Sequence, residues 1–169
     1  MLHAYQNITP KLADQVFCVD SAEIIGDVEI GAKSSIWFQV VIRGDVNYIR
    51  IGERTNIQDG TVIHVTHKVN PTFIGDDVTI GHNVTLHGCR IGDRCLIGMG
   101  AVVMDGAVIE NDSMVAAGAL VTPGTQVPSG TLYAGSPAKY KRHLSEKEIA
   151  FLQQSAQNYL NYVKSFRGD

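Results

Sequence analysis

Cysteine is scarce in this chain of 169 residues: Cys18, Cys89 and Cys95 are the only three, and no two form a CxxC pair. An odd count without paired spacing excludes a disulfide framework as the organising device. Excess basic charge is missing too. Fourteen Lys and Arg stand against 17 Asp and Glu, a net charge of −3, so nothing in the charge calls for nucleic acid or an anionic membrane as partner. No run approaches the ~18 consecutive apolar residues of a membrane span. The opening MLHAYQNITPKLADQ lacks the basic-then-apolar pattern of a secretory signal. These absences predict a soluble, cytoplasmic protein. With 44% hydrophobic residues, the chain is large enough for one domain with a real core.

What is present is a repeat. Aliphatic residues recur at every sixth position, as in Ile51, Ile57, Ile63 and again in Ile74, Ile80, Leu86, many of them followed by glycine. A second column, four residues after each aliphatic, is small or β-branched: Ser34, Thr55, Thr61, Cys95, Ala101 and Ser113 belong to it. Two inward columns at this period suit neither an amphipathic helix nor a plain alternating strand. They predict a triangular, parallel β-solenoid in which three hexapeptides close one coil and stacked coils bury the aliphatics in a narrow shaft. The small column keeps that shaft from overfilling, and glycine after the aliphatic supplies backbone freedom at a tight corner. Cys95, in the small column, reads as a packed and inert thiol; the role of Cys89 stays open.

Faults in the count locate insertions. Ile42 to Ile51 is nine residues, Ile63 to Ile74 is eleven, and Leu86 to Ile91 is only five. The repeat fades after Tyr133. A helix is expected next, with Ser145 and Glu148 as a capping box, Leu144 and Ile149 as a staple, and a buried stripe of Ile149, Leu152, Ala156, Tyr159 or Leu160, and Val163. The chain therefore divides into a solenoid, residues 1–140, and an extension, residues 141–169, whose helix lies on the solenoid or on a neighbour.

Register sorts the histidines. His64 follows Ile63 and His87 follows Leu86, both third aliphatics of successive coils, so they share a corner about 4.8 Å apart. Arg43, after Ile42, extends that column. His82 stands two residues after Ile80, on another corner, with Asp59 one rung away and Gln58 beside it. Zinc ligand nitrogens sit about 3–3.5 Å apart, which His64 and His87 can meet. The strand between His82 and His87 spans up to about 17 Å, so His82 should come from a neighbouring subunit. A triangular rod suits a threefold homotrimer, with three equivalent sites between subunits. His3 and His143 read as ordinary solvated side chains.

Five segments carry a resemblance that covers nearly the whole chain: IRGD (42–45), NIQDG (56–60), VIHVTH (62–67), IGHNVTLHGC (80–89) and IGMGAVVMDGA (97–107). Together they are similar to the γ-class carbonic anhydrases of the hexapeptide-repeat family, and AGSPAK (134–139) resembles that family's exit motif. The resemblance implies a left-handed β-helix, and the handedness rests on the resemblance alone, since parallel crossovers are otherwise nearly always right-handed. It implies Zn2+, or Fe2+, held by His64, His82 and His87 across a trimer interface, and an intersubunit ion pair between Arg43 and Asp45. Gln58 and Asp59 match residues beside the metal-bound water, and Tyr159 matches an aromatic leaning towards the site. The implied reaction is reversible hydration of CO2 to bicarbonate by metal-bound hydroxide, with Gln58 orienting and Asp59 supporting His82.

The sequence departs from the class at proton release. The insertion after His64 carries no carboxylate, and Val46 stands where the archetype has a glutamate. His67, on that insertion, is a substitute by residue type, as histidine titrates near neutrality. Two other functions stay open: a CoA-dependent acyltransferase or thioester hydrolase using one histidine as base, and a non-catalytic trimeric metal-binding scaffold.

Overall fold

The aliphatic at every sixth position becomes, in the computed structural model, which describes residues 1–168, three columns inside a β-solenoid of about seven coils. On the first face, Ile30, Ile51, Ile74, Ile91, Ile109 and Val127 stack in parallel register. On the second, Ile36, Ile57, Ile80, Ile97, Val115 and Tyr133 do so. The third column runs Ile24, Ile42, Ile63, Leu86, Val103 and Val121. All but Tyr133 are buried. Most strands are two or three residues long, such as Val62–His64 and Thr85–His87. Two longer ones, Glu23–Ile30 and Val41–Ile51, bend across a corner and serve two faces.

The small column has a second reason beyond volume. Hydroxyls of Ser34, Thr55 and Thr61 donate to the carbonyls of Gly52, Gly75 and Gly81 one coil on, at 2.7, 2.7 and 3.0 Å. Each thereby satisfies a corner carbonyl that the strand ladder leaves over. Cys95 sits in this column, buried, and its burial pushes the thiol up to about 12. Thr125, near the end of the stack, is only half-buried.

The expected reason for glycine after the aliphatic is corrected. Gly31, Gly52, Gly75 and Gly92 do not adopt positive φ; Lys33, Arg54, Asp77, Arg94 and Asp112 turn that corner at 51–61° instead. The glycines are there because coils touch. A Cβ on Gly52 would lie 2.6 Å from the Gly75 carbonyl carbon and 2.2 Å from Asp76 Oδ1. Bidentate pairs bridge the same corner between coils, Arg54 with Asp77 at 2.8 and 2.9 Å and Arg94 with Asp112 at 2.6 and 2.9 Å.

The helix spans Glu146–Arg167, capped by the reciprocal Ser145–Glu148 box and ended by Gly168 in the left-handed conformation. It lies on the second face of its own chain: Ser155 bonds Thr79 at 2.9 Å, and Leu152, Ala156 and Val163 are buried. Ile149, expected in that stripe, is 38% exposed in the first turn of the helix. Phe166 closes the far end against Phe17, Trp37 and Phe38. Among the described residues no helix is long and apolar enough to cross a membrane.

Candidate metal centre

His64 and His87 are register partners at the ends of adjacent strands on the third face. Parallel pairing holds their Cα atoms one rung apart, and the rings tilt together so that His64 Nδ1 lies 3.2 Å from His87 Nε2. Their other nitrogens are committed. His64 Nε2 donates to Asp45 Oδ1 at 2.9 Å, and His87 Nδ1 lies 3.1 Å from both oxygens of Asp105. A carboxylate only accepts, so each neutral ring carries its proton on the outer nitrogen. The two facing nitrogens are then both lone pairs. At 3.2 Å they repel unless something electropositive lies between them.

Both carboxylates are held ionised. Burial pushes Asp45 up, but hydrogen bonds from His64 and Arg43 outweigh it and hold the group below the ordinary aspartate range. Asp105 behaves alike: burial raises it, and the bonds from Thr66 and His87 bring it lower. Asp105 lies outside the histidine columns. The available signal was its register, two residues after Val103, the residue stacked on Leu86.

His82 stands on the opposite edge of the third face, with Nδ1 2.6 Å from Asp59 Oδ2. Asp59 is itself fixed by the Phe38 amide at 3.1 Å. Its third-column neighbour is the strand surface between the two histidine edges, where Val41, Val62, Thr85, Val102 and Leu120 point outward and Val62 is 42% exposed. Among the described residues of one chain, no three His, Cys, Asp or Glu side chains converge as a ligand set. His64 and His87 come together; His82 does not join them.

The remaining expected residues fall as follows. Arg43 and Asp45, expected to form an ion pair between subunits, stand two residues apart on one strand and touch within the single chain. Gln58 is buried, and its amide donates to Asn56 at 3.1 Å. With His82, Met99 and Ser155 it lines a crevice of about 390 Å3 beneath the helix. Tyr159 stacks edge-on against Trp37 at 5.5 Å and shares a second cavity with Asp59. Burial, then the charge of Asp59, pushes its phenol up to about 12, so it acts only as a neutral group. His67 is exposed on the turn 66–70, whose backbone closes through Thr66 and Asn70 at 2.9 Å. Cys89 is buried, and burial pushes its thiol up to about 12, which makes it an inert neighbour of His87. His3 pairs with Glu23, and His143 lies against Tyr140, both away from the corners just described.

Known proteins share this arrangement of sequence. The family model for bacterial transferase hexapeptide repeats matches residues 71–104 and 88–123. Protein YrdA of Escherichia coli is 49% identical over 98% of this chain and 94% of its own length. A probable carbonic anhydrase of Methanocaldococcus jannaschii is 50% identical over 90% of this chain and 94% of its own. Mitochondrial gamma carbonic anhydrase 2 of Arabidopsis thaliana is 50% identical over 92% of this chain, which spans 58% of that longer protein. A solved hexapeptide transferase family protein from Anaplasma phagocytophilum superposes with a TM-score of 0.95 at 48% identity, covering 98% of both chains.

Proposed function

The chain belongs to the γ-class carbonic anhydrase-like proteins of the hexapeptide-repeat family, and from that premise we propose that it hydrates CO2 reversibly to bicarbonate at a metal shared between subunits. The assembly is a homotrimer of left-handed solenoids, in the cytoplasm. His64 and His87 of one subunit and His82 of the next hold Zn2+, with Fe2+ as the alternative ion. The observation that carries this reading is the 3.2 Å approach of two imidazole nitrogens, each ring held from behind by a carboxylate. The ion, when bound, supplies Lewis acidity that lowers the pKa of a water from 15.7 to about 7.

The chain's own groups prepare the site around it. Asp45, Asp105 and Asp59 hold protons on the outer nitrogens of His64, His87 and His82 respectively, keeping the inner ones free to ligate. Arg43 balances the charge of Asp45. Gln58, its amide already given to Asn56, keeps its carbonyl oxygen as an acceptor that orients a water or substrate proton. Tyr159 and Trp37 keep the Asp59 side of the cavity apolar. His67, on its exposed turn, carries the released proton to solvent. The outward valine column covers itself against the neighbouring subunit.

Elemental analysis of aerobically and anaerobically purified protein, with stopped-flow CO2 hydration on each, tests the proposal. One metal per chain and hydration activity, both lost in His82→Ala, is the expected result. Metal well below one per chain in both preparations overturns it. The crevice of about 390 Å3 that runs from His82 past Met99 to Ala117 favours one second reading, hydrolysis or transfer of an acyl thioester. An active, metal-free protein acting on acyl-CoA would establish that reading instead; a metal-replete trimer inert towards both substrates would leave a scaffold.

A further inference from the structure

We infer that Asp105 is a positioning residue whose single carboxylate sets the His87 ring and fastens the 66–70 turn over it. The inference rests on the proposed role of His87 as a ligand. Asp105 belongs to the coil after His87, since Leu86 pairs with Val103. Its backbone is pinned there: the Asp105 carbonyl accepts from Gly124 at 2.9 Å, and the next amide, of Gly106, donates to Gly88 at 2.7 Å. From this fixed place the side chain does two things. It lies 3.1 Å by both oxygens from His87 Nδ1, and its Oδ1 accepts the Thr66 hydroxyl.

The first contact decides the tautomer. Because the carboxylate cannot donate, Nδ1 must carry the hydrogen, and Nε2, the nitrogen that faces His64, keeps its lone pair. The second contact fastens the insertion. Thr66 is the residue from which the turn is built: its amide bonds Asn70, its carbonyl accepts from Val69 at 3.2 Å, and Asn47 from the other insertion bonds the same carbonyl at 3.0 Å. One carboxylate thus joins the ring to both insertions.

Gly88 makes room for this. It sits at φ +55°, and a Cβ there would meet Asp105 Oδ1 at 2.7 Å, Asn70 Cβ at 2.8 Å and Thr66 Oγ1 at 3.0 Å. Those three groups close over a bare backbone, in the five-residue step where the repeat is one residue short. An aspartate that served only its own corner would need no such space in the preceding coil.

Two readouts test the inference without activity. In metal-free protein carrying 15N-histidine, long-range proton–nitrogen spectra should give His87 as the Nδ1–H tautomer, and Asp105→Asn should abolish that preference. Competition with a chromophoric chelator should show zinc affinity falling by about 10–100-fold in Asp105→Asn. Asp105→Ala is the second variant, read by the same two measurements should the first misfold. Thr66→Val should keep the tautomer and the zinc affinity while speeding amide exchange at residues 66–70. An Nε2–H tautomer in the unaltered protein, or tautomer and affinity unchanged in both Asp105 variants, overturns the inference; unchanged exchange in Thr66→Val overturns its loop half. Should the unaltered protein bind no zinc, the metal proposal falls, and the tautomer of His87 decides the role of Asp105 by itself.

Discussion

Two variants, each dead alone, should restore one another when mixed. His82→Ala keeps an intact His64–His87 pair on one edge of the third face; the double variant His64→Ala, His87→Ala keeps His82 on the other edge. In the proposed cyclic trimer a site needs the pair from one subunit and His82 from the next. Random assembly of a 1:1 mixture puts the right variants on the right sides in about a quarter of sites. Zinc content should therefore rise from near zero in each parent to about 0.25 per chain in the mixed trimer. The two rings meet within one chain at 3.2 Å, so a mixture of His64→Ala with His87→Ala has no such remedy: every site lacks one ring. Refolding the mixtures together and measuring zinc by elemental analysis, with CO2 hydration alongside, distinguishes the cases. Restoration in the second mixture, or none in the first once mixed trimers are demonstrated, would refute the division of ligands between corners.

Val62→Asp should turn the proposed trimer into a folded monomer that fails to retain zinc, since the side chain lies 42% exposed on the uncovered face; light scattering, circular dichroism and elemental analysis read the outcome. Gly52→Ala should cost about 3 kcal/mol in urea unfolding, because the Cβ would press between coils 2.6 Å from backbone. Gly100→Ala, at φ +68° with open space around it, should cost only about 1 kcal/mol of left-handed strain. Thiol titration of the native protein at pH 8 should find Cys89 and Cys95 silent, burial having pushed both up to about 12, and all three cysteines reactive once unfolded. Glu148, held down to about 2 by Arg142 and then by Ser145, gives acid sensitivity of a definite sign. Its folded value lies below the ordinary 4.5, so its support of the helix start is full above that pH and disappears as pH falls towards 2. Amide exchange in the first helical turn should quicken over that window, and Glu148→Gln should flatten the dependence.

The solenoid and the partition of its histidines were legible in the sequence because both are matters of period. A side chain's face is decided by its count from the last aliphatic, so Ile63 and Leu86 carry His64 and His87 to one corner, while Ile80 carries His82 to another. That count also brought Asp59 to His82, and the pair stands at 2.6 Å. What period does not encode is which atoms close at 3 Å. Rotamers and coil-to-coil distance decide that, and they are properties of the stacked chain. So the glycines after the aliphatics proved to be points of contact between coils, with the left-handed turn passed to Lys33, Arg54 and Asp77. Ile149 stayed half out of the helix seam, and Tyr159 settled on Trp37. The six-residue period settles the repeat, the columns and the two edges on which the histidines stand. Only the folded coil decided that Asp45 and Asp105 stand behind the rings, because a carboxylate reaches an imidazole nitrogen from another rung by side-chain torsion, which no spacing specifies.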